Sequence, residues 1–430
     1  MTNNKVMAVV VVALMVVVGC MAAIGLSITN DNSDDSSYEH RVTIYGNANG
    51  DDKLDEDDIS TLNTLITDSI DDWGEDYPFA DANQDGIITQ DDVDVVQKYL
   101  NGESTRLYYQ NAFDRITWVN YPLGLKIGTE TASIEFLPVL GLYDNLYATD
   151  DNYTINLYPD KYPNAQDKVV IGTSKNFTVE QVRTSGVETL FMYPVHGDYF
   201  WDKAVDSGLA DIASIILLDT QGDRAVGDVL MLGIFFNVQE RAQKFADWSD
   251  GIVSELSVIG DVIEKKEVDV INAWTTGFTK GQFSVCNTNF NPVGHYHHIL
   301  EFQEQYRGSN TSTVNFEDFV NTATDDIIVI MHRSNSVSLE DFDSYCQNLT
   351  EQAFPNTEQL KNGTIYAIEW DCSPNLGGIA GMYLLASYLY PDNFDTEQGY
   401  EYLQYFLDNF YAQTGLDAHT GFFYAVTPVE

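Results

Sequence analysis

The sequence predicts an α/β protein: two Rossmann-like lobes joined by a long helix, preceded by a small α-helical module and an N-terminal membrane helix. Three observations carry that expectation. From Arg115 onward, short apolar runs rich in β-branched and aromatic residues alternate with segments of helical spacing, the pattern of strands with crossover helices. Between two sets of such runs lies NVQERAQKFADWSDGIVSELSVIGDVIEKK, proline-free and apolar at helical spacing, which reads as one connecting helix over residues 236–265. Upstream, Val42–Glu103 holds 17 Asp or Glu against two Lys, a composition unlike the rest of the chain.

The first element is Val6–Ile28, a run of 23 residues without a charge. A helix of that length spans roughly 35 Å, enough to cross a bilayer. Lys5 precedes it and NDNSDDSSYE follows, so the positive-inside rule leaves the bulk of the chain outside the cell. A cleaved signal and a lipoprotein, with Cys20 ending the loose lipobox VVGC, are the alternatives to an uncleaved anchor. Residues 29–41 form an acidic linker.

Residues 42–103 carry two calcium-type loops. In DANQDGIITQDD, Asp81, Asn83 and Asp85 place side-chain oxygens at positions one, three and five; Gly86 takes the sharp turn and the Ile87 carbonyl takes position seven. Thr89 stands ninth, and Asp92 stands twelfth where an EF-hand has a bidentate Glu. In NANGDDKLDEDD the same offsets hold Asn47, Asn49, Asp51, the Lys53 carbonyl, Asp55 and Asp58, with Asp52 at the turn position. A left-handed backbone is tolerable for Asp but more natural for Gly. Each loop runs into a short amphipathic segment, ISTLNTLI or VDVVQKYL, so the unit is a loop followed by a helix, twice. Bound calcium is the natural neutraliser of such an acidic density. These paired halves, with Asp in the twelfth place, resemble a type I dockerin. The resemblance implies two calcium ions and a cohesin partner, with partner choice carried by Glu56, Asp57, Gln90 and Asp91.

The larger region divides into residues 104–235 and 266–430 around the connecting helix. Its strand candidates are ITWVNY, TLFMYP, SIILLD, VDVINAW, IIVIMH and TIYAIEW, and several end in an aromatic residue or His. In open α/β sheets ligands collect beyond the carboxyl ends of the strands. That geometry nominates Tyr193, His196 and Trp201 after one strand, Trp274 after another, His332 and Arg333 after a third and Trp370 after a fourth. His295 and His297 join them from the GHYHH cluster. Five of the seven His fall at such exits or in that cluster. Taken singly, each reads as a packed or capping side chain; their joint placement is what points to a site.

The order of units is similar to the class III substrate-binding proteins of ABC importers for ferric siderophores, haem and cobalamin. RITWVNYPLGLKIGTETASIEFLPVLGLYDNLYATD looks like that family's first strand, a helix carrying Glu135, and the turn at Leu140 and Gly141. NFTVEQVRTSGVETLFMYP and VNFEDFVNTATDDIIVIMH resemble equivalent helix-strand units of the two lobes, and LKNGTIYAIEW with LLASYLYPDNF resembles the closing strand and last helix. The resemblance covers nearly all of residues 115–410 and departs from the family at residues 149–168 and 277–310. It implies a metal chelate held between the lobes, and it implies that Glu180 and Glu317, at matching helix starts, dock to the two permease subunits. Helix-start carboxylates also have a plainer role, complementing the helix dipole.

Composition sets outer limits. A net charge of -45 over 430 residues excludes nucleic acid and anionic membrane surface as direct partners. Sequons at Asn152, Asn176, Asn310, Asn348 and Asn362 fit an exported chain. Cys286, Cys346 and Cys372 allow at most one disulfide among them. No catalytic constellation is apparent: the glycine pattern around Ser174 is not that of a nucleophile elbow, and His295 and His298 share a helical face that His297 leaves. Aromatic walls, Arg333 for a carboxylate and a His for a metal or polar rim suit capture of an organic chelate without reaction. The rival readings are a surface adhesion or scaffold component working through cohesin assembly, and a degradative enzyme.

Overall fold

Each acidic loop turns directly into a helix. Asp55 caps α1 (Glu56–Asp68) and Thr89 caps α2 (Gln90–Leu100), each accepting a backbone N–H from the first turn. Both starts are capping boxes, in which the third helical residue, Asp58 or Asp92, reaches back to the backbone N–H of the cap. The buried positions, Leu62 and Leu65 on α1 and Val93, Val96 and Tyr99 on α2, recur at helical spacing and turn the two helices toward a common core. The computed structural model describes residues 41–70, 73–150, 161–172, 177–220, 222–274, 284–285, 295–296, 325–332, 337–372 and 375–427.

The run ITWVNY departs from expectation. It forms β2 (Ile116–Tyr121), which pairs antiparallel with β1 (Thr105–Gln110) in a two-stranded sheet of its own. Alternate burial along both strands fits a ribbon with one covered face rather than the continuous burial of a parallel sheet. The first strand of the lobe is instead the short β3 (Ile127–Thr129). It joins β4 (Leu146–Thr149), β5 (Val169–Val170), β6 (Thr189–Met192) and β7 (Ser214–Leu217) in an all-parallel sheet of order β5-β4-β3-β6-β7. Among these, β6 and β7 are buried at every position, as strands covered by helices on both faces must be. The helices of this lobe are α3 (Phe136–Val139), α4 (Val179–Ser185), α5 (Pro194–Asp206) and α6 (Gly222–Phe235).

The connecting helix is shorter than the sequence suggests. It runs as α7 (Gln239–Leu256), and the following turn, α8 (Val258–Asp261), contains non-helical Ile259 and Gly260. Gly260 has φ +98°, a conformation that ends a right-handed helix and costs glycine nothing. At the other end, Asn237 at φ +55° turns α6 back onto α7. A side chain at Gly233 would strike Ala242, so the close crossing of these two helices requires glycine there.

The second lobe is built on β8 (Glu267–Trp274), β9 (Ser284–Val285), β10 (His295–Tyr296), β11 (Asp326–His332), β12 (Ile365–Glu369) and β13 (Phe423–Ala425). The order is β10-β8-β11-β12-β13, with β9 and β13 antiparallel to their neighbours and the rest parallel. Its helices among the described residues are α9 (Phe342–Ala353), α10 (Glu358–Asn362), α11 (Gly378–Leu389) and α12 (Thr396–Phe410). One apolar core runs from Val42 through α6, α7 and α11 to Phe423, so the loop module and both lobes share it. Cys346 and Cys372 are buried, and Cys286 lies outside the described residues. No helix among the described residues is long and apolar enough to cross a membrane; the run Val6–Ile28 lies outside them.

The hairpin is tied to the first lobe by a buried ion pair on α6. Arg224 donates from Nε to Asp228 at 3.2 Å and from a terminal nitrogen to the Gln110 carbonyl at 2.6 Å, while Asp228 accepts the Asp219 N–H at 2.7 Å. Burial pushes the Asp228 carboxyl up to about 6, against the pull of Arg224. A carboxyl raised on folding keeps a proton that the unfolded chain releases. Its contribution to stability is therefore full below about pH 4 and is lost as pH rises through about 6. The expected outcome is that the stability of the wild type relative to Asp228→Asn declines between pH 4 and 6 and is flat above 7, as read from denaturant unfolding. A difference independent of pH across that window would exclude the assignment.

Candidate functional site: the interlobe region and the two acidic loops

Two carboxylates close the strand exits of the first lobe. Glu130, the residue after β3, is fully buried; its Oε2 accepts the Tyr193 N–H at 3.0 Å, and its own N–H is donated to the Phe191 carbonyl at 3.0 Å. One strand over, buried Asp150 accepts the Thr131 N–H at 3.0 Å. Thr131 sits at φ +50°, a left-handed turn that carries its amide toward that carboxylate. Such charge-assisted bonds fix the exits of β3, β4 and β6 relative to one another.

The two lobes meet over a second buried cluster. Lys161 Nζ lies 3.0 Å from Glu135 Oε1, with side chains only 2% and 9% exposed. Asn375, beyond β12 in the second lobe, donates from Nδ2 to the same Glu135 oxygen at 2.7 Å and accepts from Thr220 Oγ1 of the first lobe at 3.4 Å. The Lys161 ammonium also stands over the rings of Tyr162 and Tyr411, at 5.1 and 5.6 Å. Asn375 therefore joins an exit of the second sheet to residues that follow β3 and β7 in the first. Arg241 of α7 reinforces the junction: it donates to the carbonyls of Pro138 and Val139, at 2.8 Å each, and to that of Asn409. These carbonyls are the C-terminal ends of α3 and α12, where a cation also complements the helix dipoles.

The residues nominated from the sequence separate. Trp274 and His332 end adjacent parallel strands and are partners in register, so the fold brings those two positions together. Tyr193 caps α5 and Trp370 opens the turn after β12; both are partly buried. Trp201 is a correction. It is 3% exposed and packs edge-on against Trp118 with ring centroids 4.9 Å apart, because its place on α5 faces the sheet core rather than the strand exits. His295 is another: β10 pairs it with Glu267, the first residue of β8, at the opposite end of that strand from Trp274. Seven residues of strand separate the two levels, roughly 23 Å. His196 lies in the first turn of α5, while His297, Arg333 and Glu317 lie outside the described residues. The Glu135, Lys161 and Asn375 cluster was not nominated. A lone Glu inside the apolar run SIEFLPVL is a signal of a buried ionic partner, but nothing in the sequence points to Lys161 as that partner.

The two acidic loops are built alike. In the first, Asp58 accepts the N–H groups of Asn49 and Asp55 at 3.2 and 2.9 Å; in the second, Asp92 accepts those of Asn83 and Thr89 at 3.2 and 2.8 Å. Asn49 and Asn83 accept the amides of Asp51 and Asp85, and these accept the amides of Lys53 and Ile87. The loops differ at two places. The left-handed residues are Gln84 and Gly86 in the second loop but Gly50 in the first, so Asp52 does not make the turn the sequence assigned to it. At position one, Asp81 accepts the amides of Asp85 and Gly86, whereas Asn47 uses Nδ2 on the carbonyls of Val42 and Asp51. Its Oδ1, in a side chain 1% exposed, has no hydrogen-bond partner. Burial pushes the Asp58 carboxyl up to about 7, with Asp51 and Asp55 adding to the effect, and it raises Asp92 likewise. Among the described residues, no three His, Cys, Asp or Glu side chains converge as they would round a metal ion.

Comparison with known proteins separates fold from sequence. No family model matches the chain, and no curated protein matches it. Among solved structures, it is similar to the TroA-like periplasmic binding protein FepB of Veillonella parvula at 15% identity and a TM-score of 0.59, covering 74% of this chain and 99% of that one. The fold is that of a TroA-like periplasmic binding protein. A periplasmic solute binding protein of Veillonella parvula DSM 2008 gives the same result, with 15% identity, a TM-score of 0.54 and coverage of 74% and 97%.

Removing one partner of a buried ion pair costs about 3–5 kcal/mol, because the other charge stays buried. Lys161→Ala is therefore expected to lower unfolding stability by that amount. The exposed pair Lys361–Glu358 provides the control: Lys361→Ala is expected to cost less than about 1 kcal/mol. Urea titrations check both, and equal losses would exclude a supporting role for the interlobe cluster.

Proposed function

We propose that this chain is an extracellular solute-binding protein that captures a metal chelate between its lobes and passes it to an ABC permease. The observation that carries this reading is the register of Trp274 with His332 at adjacent strand exits of a TroA-like fold. A flat aromatic and an imidazole at neighbouring positions suit a ferric siderophore, haem or cobalamin, whose organic body packs on a ring while its metal or polar rim takes the His. Tyr193 and Trp370 border the same region, with His196, His297 and Arg333 as further proposed contacts. Binding proteins of this kind hold and release, so no catalytic residue is assigned. Glu180 stands exposed in the first turn of α4, where a permease arginine would reach it; Glu317 is its proposed counterpart. With Trp274→Ala or His332→Ala, capture of the chelate is expected to weaken by about tenfold or more, in fluorescence titrations with haem, cobalamin and ferric siderophores. Glu180→Ala with Glu317→Ala is expected to leave that affinity intact and lower uptake through the importer. Unchanged titrations for every chelate would defeat the ligand assignment, and unimpaired uptake would defeat the docking one.

The acidic loops support a second part of the reading: two calcium ions held in a dockerin-like module that engages a cohesin. The oxygen-rich donor sets at Asn47, Asn49, Asp51 and Asp58, and at Asp81, Asn83, Asp85 and Asp92, suit a hard cation, with Asp55, Thr89 and the Lys53 and Ile87 carbonyls as further donors. Asn47 Oδ1 gives the fit its firmest footing, as a buried oxygen of position one without a partner. Glu56, Asp57, Gln90 and Asp91 are all exposed beside the loops and available to a partner. Calorimetry on the whole chain is expected to register calcium uptake that Asp58→Asn and Asp92→Asn each reduce, together with calcium-dependent retention of cohesin. Should neither occur, the rival reading is a binding protein whose acidic loops are purely structural.

A further inference from the structure

The geometry points to a cation-dependent stiffening of the binding body itself: we infer that calcium in the first acidic loop stabilises the connecting helix α7, so that loop module and lobes melt as one. This inference rests on the calcium reading above. Its independent support is the way the module is built into the rest of the protein. Tyr99, the last buried residue of α2, donates its hydroxyl proton to the Ile234 carbonyl at the end of α6 at 3.2 Å. The Tyr99 hydroxyl oxygen in turn accepts from Nε2 of Gln239, the first residue of α7, at 2.8 Å. Tyr121 of the hairpin is bonded to Asn237, the left-handed residue of the turn between those helices. The α6–α7 corner is thereby held by one residue of the module and one of the hairpin.

The first loop also faces the same helix across a cavity. Asp52, Lys53, Leu54 and Asp55 form one wall of a cavity of about 330 Å³ whose opposite wall is Leu230 of α6 and Gln239, Glu240, Ala242 and Gln243 of α7. Two of these, Lys53 and Asp55, are donors in the proposed cage. Leu54 between them is buried in the core that includes Ala242 and Phe245 of α7. A cation drawing the Lys53 carbonyl and Asp55 inward therefore fixes the backbone on both sides of a side chain that is buried in the shared core and lines the cavity facing α6 and α7. On the far side of α7, Arg241 grips the ends of α3 and α12, and Trp248 stacks on Phe406 of α12 at 5.5 Å. Order imposed at the start of α7 is in this way felt by both lobes.

Any ligand bound only by the folded state stabilises it by RT ln(1 + [L]/Kd), which keeps growing after the site is full. With free calcium at about 100 times its dissociation constant, amides of α7 that exchange through unfolding of the whole body are expected to exchange about 100-fold more slowly than in chelator. Scanning calorimetry of the full chain is expected to show one transition that moves upward as a whole with calcium and moves by a smaller amount in Asp58→Asn. Tyr99→Phe, which keeps the ring but removes the link to Gln239 and Ile234, is expected to reduce the protection of α7 while retaining calcium uptake. Uptake accompanied by a separate low-temperature transition that alone responds to calcium, with α7 exchange unchanged, overturns the coupling and leaves the calcium reading standing. Absence of uptake in a direct titration overturns both.

Discussion

Everything in the two-lobed body depends on α7 being gripped at once by elements from both sides. Arg241 is the central device, because a guanidinium has several donors in a fixed plane and can serve the ends of two helices that approach from different lobes. Each of those ends has carbonyls that no helical N–H can satisfy. A lysine in its place would offer a point charge and could not span both. The aromatic packing of Phe245 and Trp248 on Phe406 and Phe410 then excludes water from the same junction.

A second constraint is the placement of charge. The chain carries 66 acidic residues against 21 Lys and Arg, yet several of those few cations are spent on buried contacts: Lys161 on Glu135, Arg224 on Asp228, and Arg241 on main-chain oxygens. Cations so scarce and so placed fix architecture, while the surface is left strongly negative. That division explains how a highly repulsive chain retains one continuous core, since repulsion between exposed carboxylates is screened by salt and the buried pairs are not.

Much of this was legible in the sequence where a pattern is local. The loop and helix starts of the acidic module follow from oxygen spacing and capping residues, and TLFM, SIIL, DVINAW and IIVIMH are strands because continuous β-branched and aliphatic runs suit parallel sheets. What failed was long-range. ITWVNY has the composition of a sheet strand, but its pairing with TRLYYQ, which was not among the strand candidates, makes it a hairpin instead. Trp201 sits eight residues past its strand exit, and only the orientation of α5 decides that it packs inward. His295 belongs to a two-residue strand whose register with β8 sets which end of the sheet it occupies. The partnership of Lys161 with Glu135 and Asn375 spans up to 240 residues and has no periodic trace.

The pairing of Trp118 with Trp201 gives the junction of hairpin and first lobe its own optical signature. Trp118 of the hairpin meets Trp201 of the first lobe edge-on at 4.9 Å, close enough for their indole transitions to couple, whereas Trp248 on α7 lies against phenylalanine rings. Circular dichroism in the indole bands thus has a component that exists only while hairpin and first lobe are in register. Loss of that couplet would report loosening of the hairpin from the first lobe in a sample without any added label.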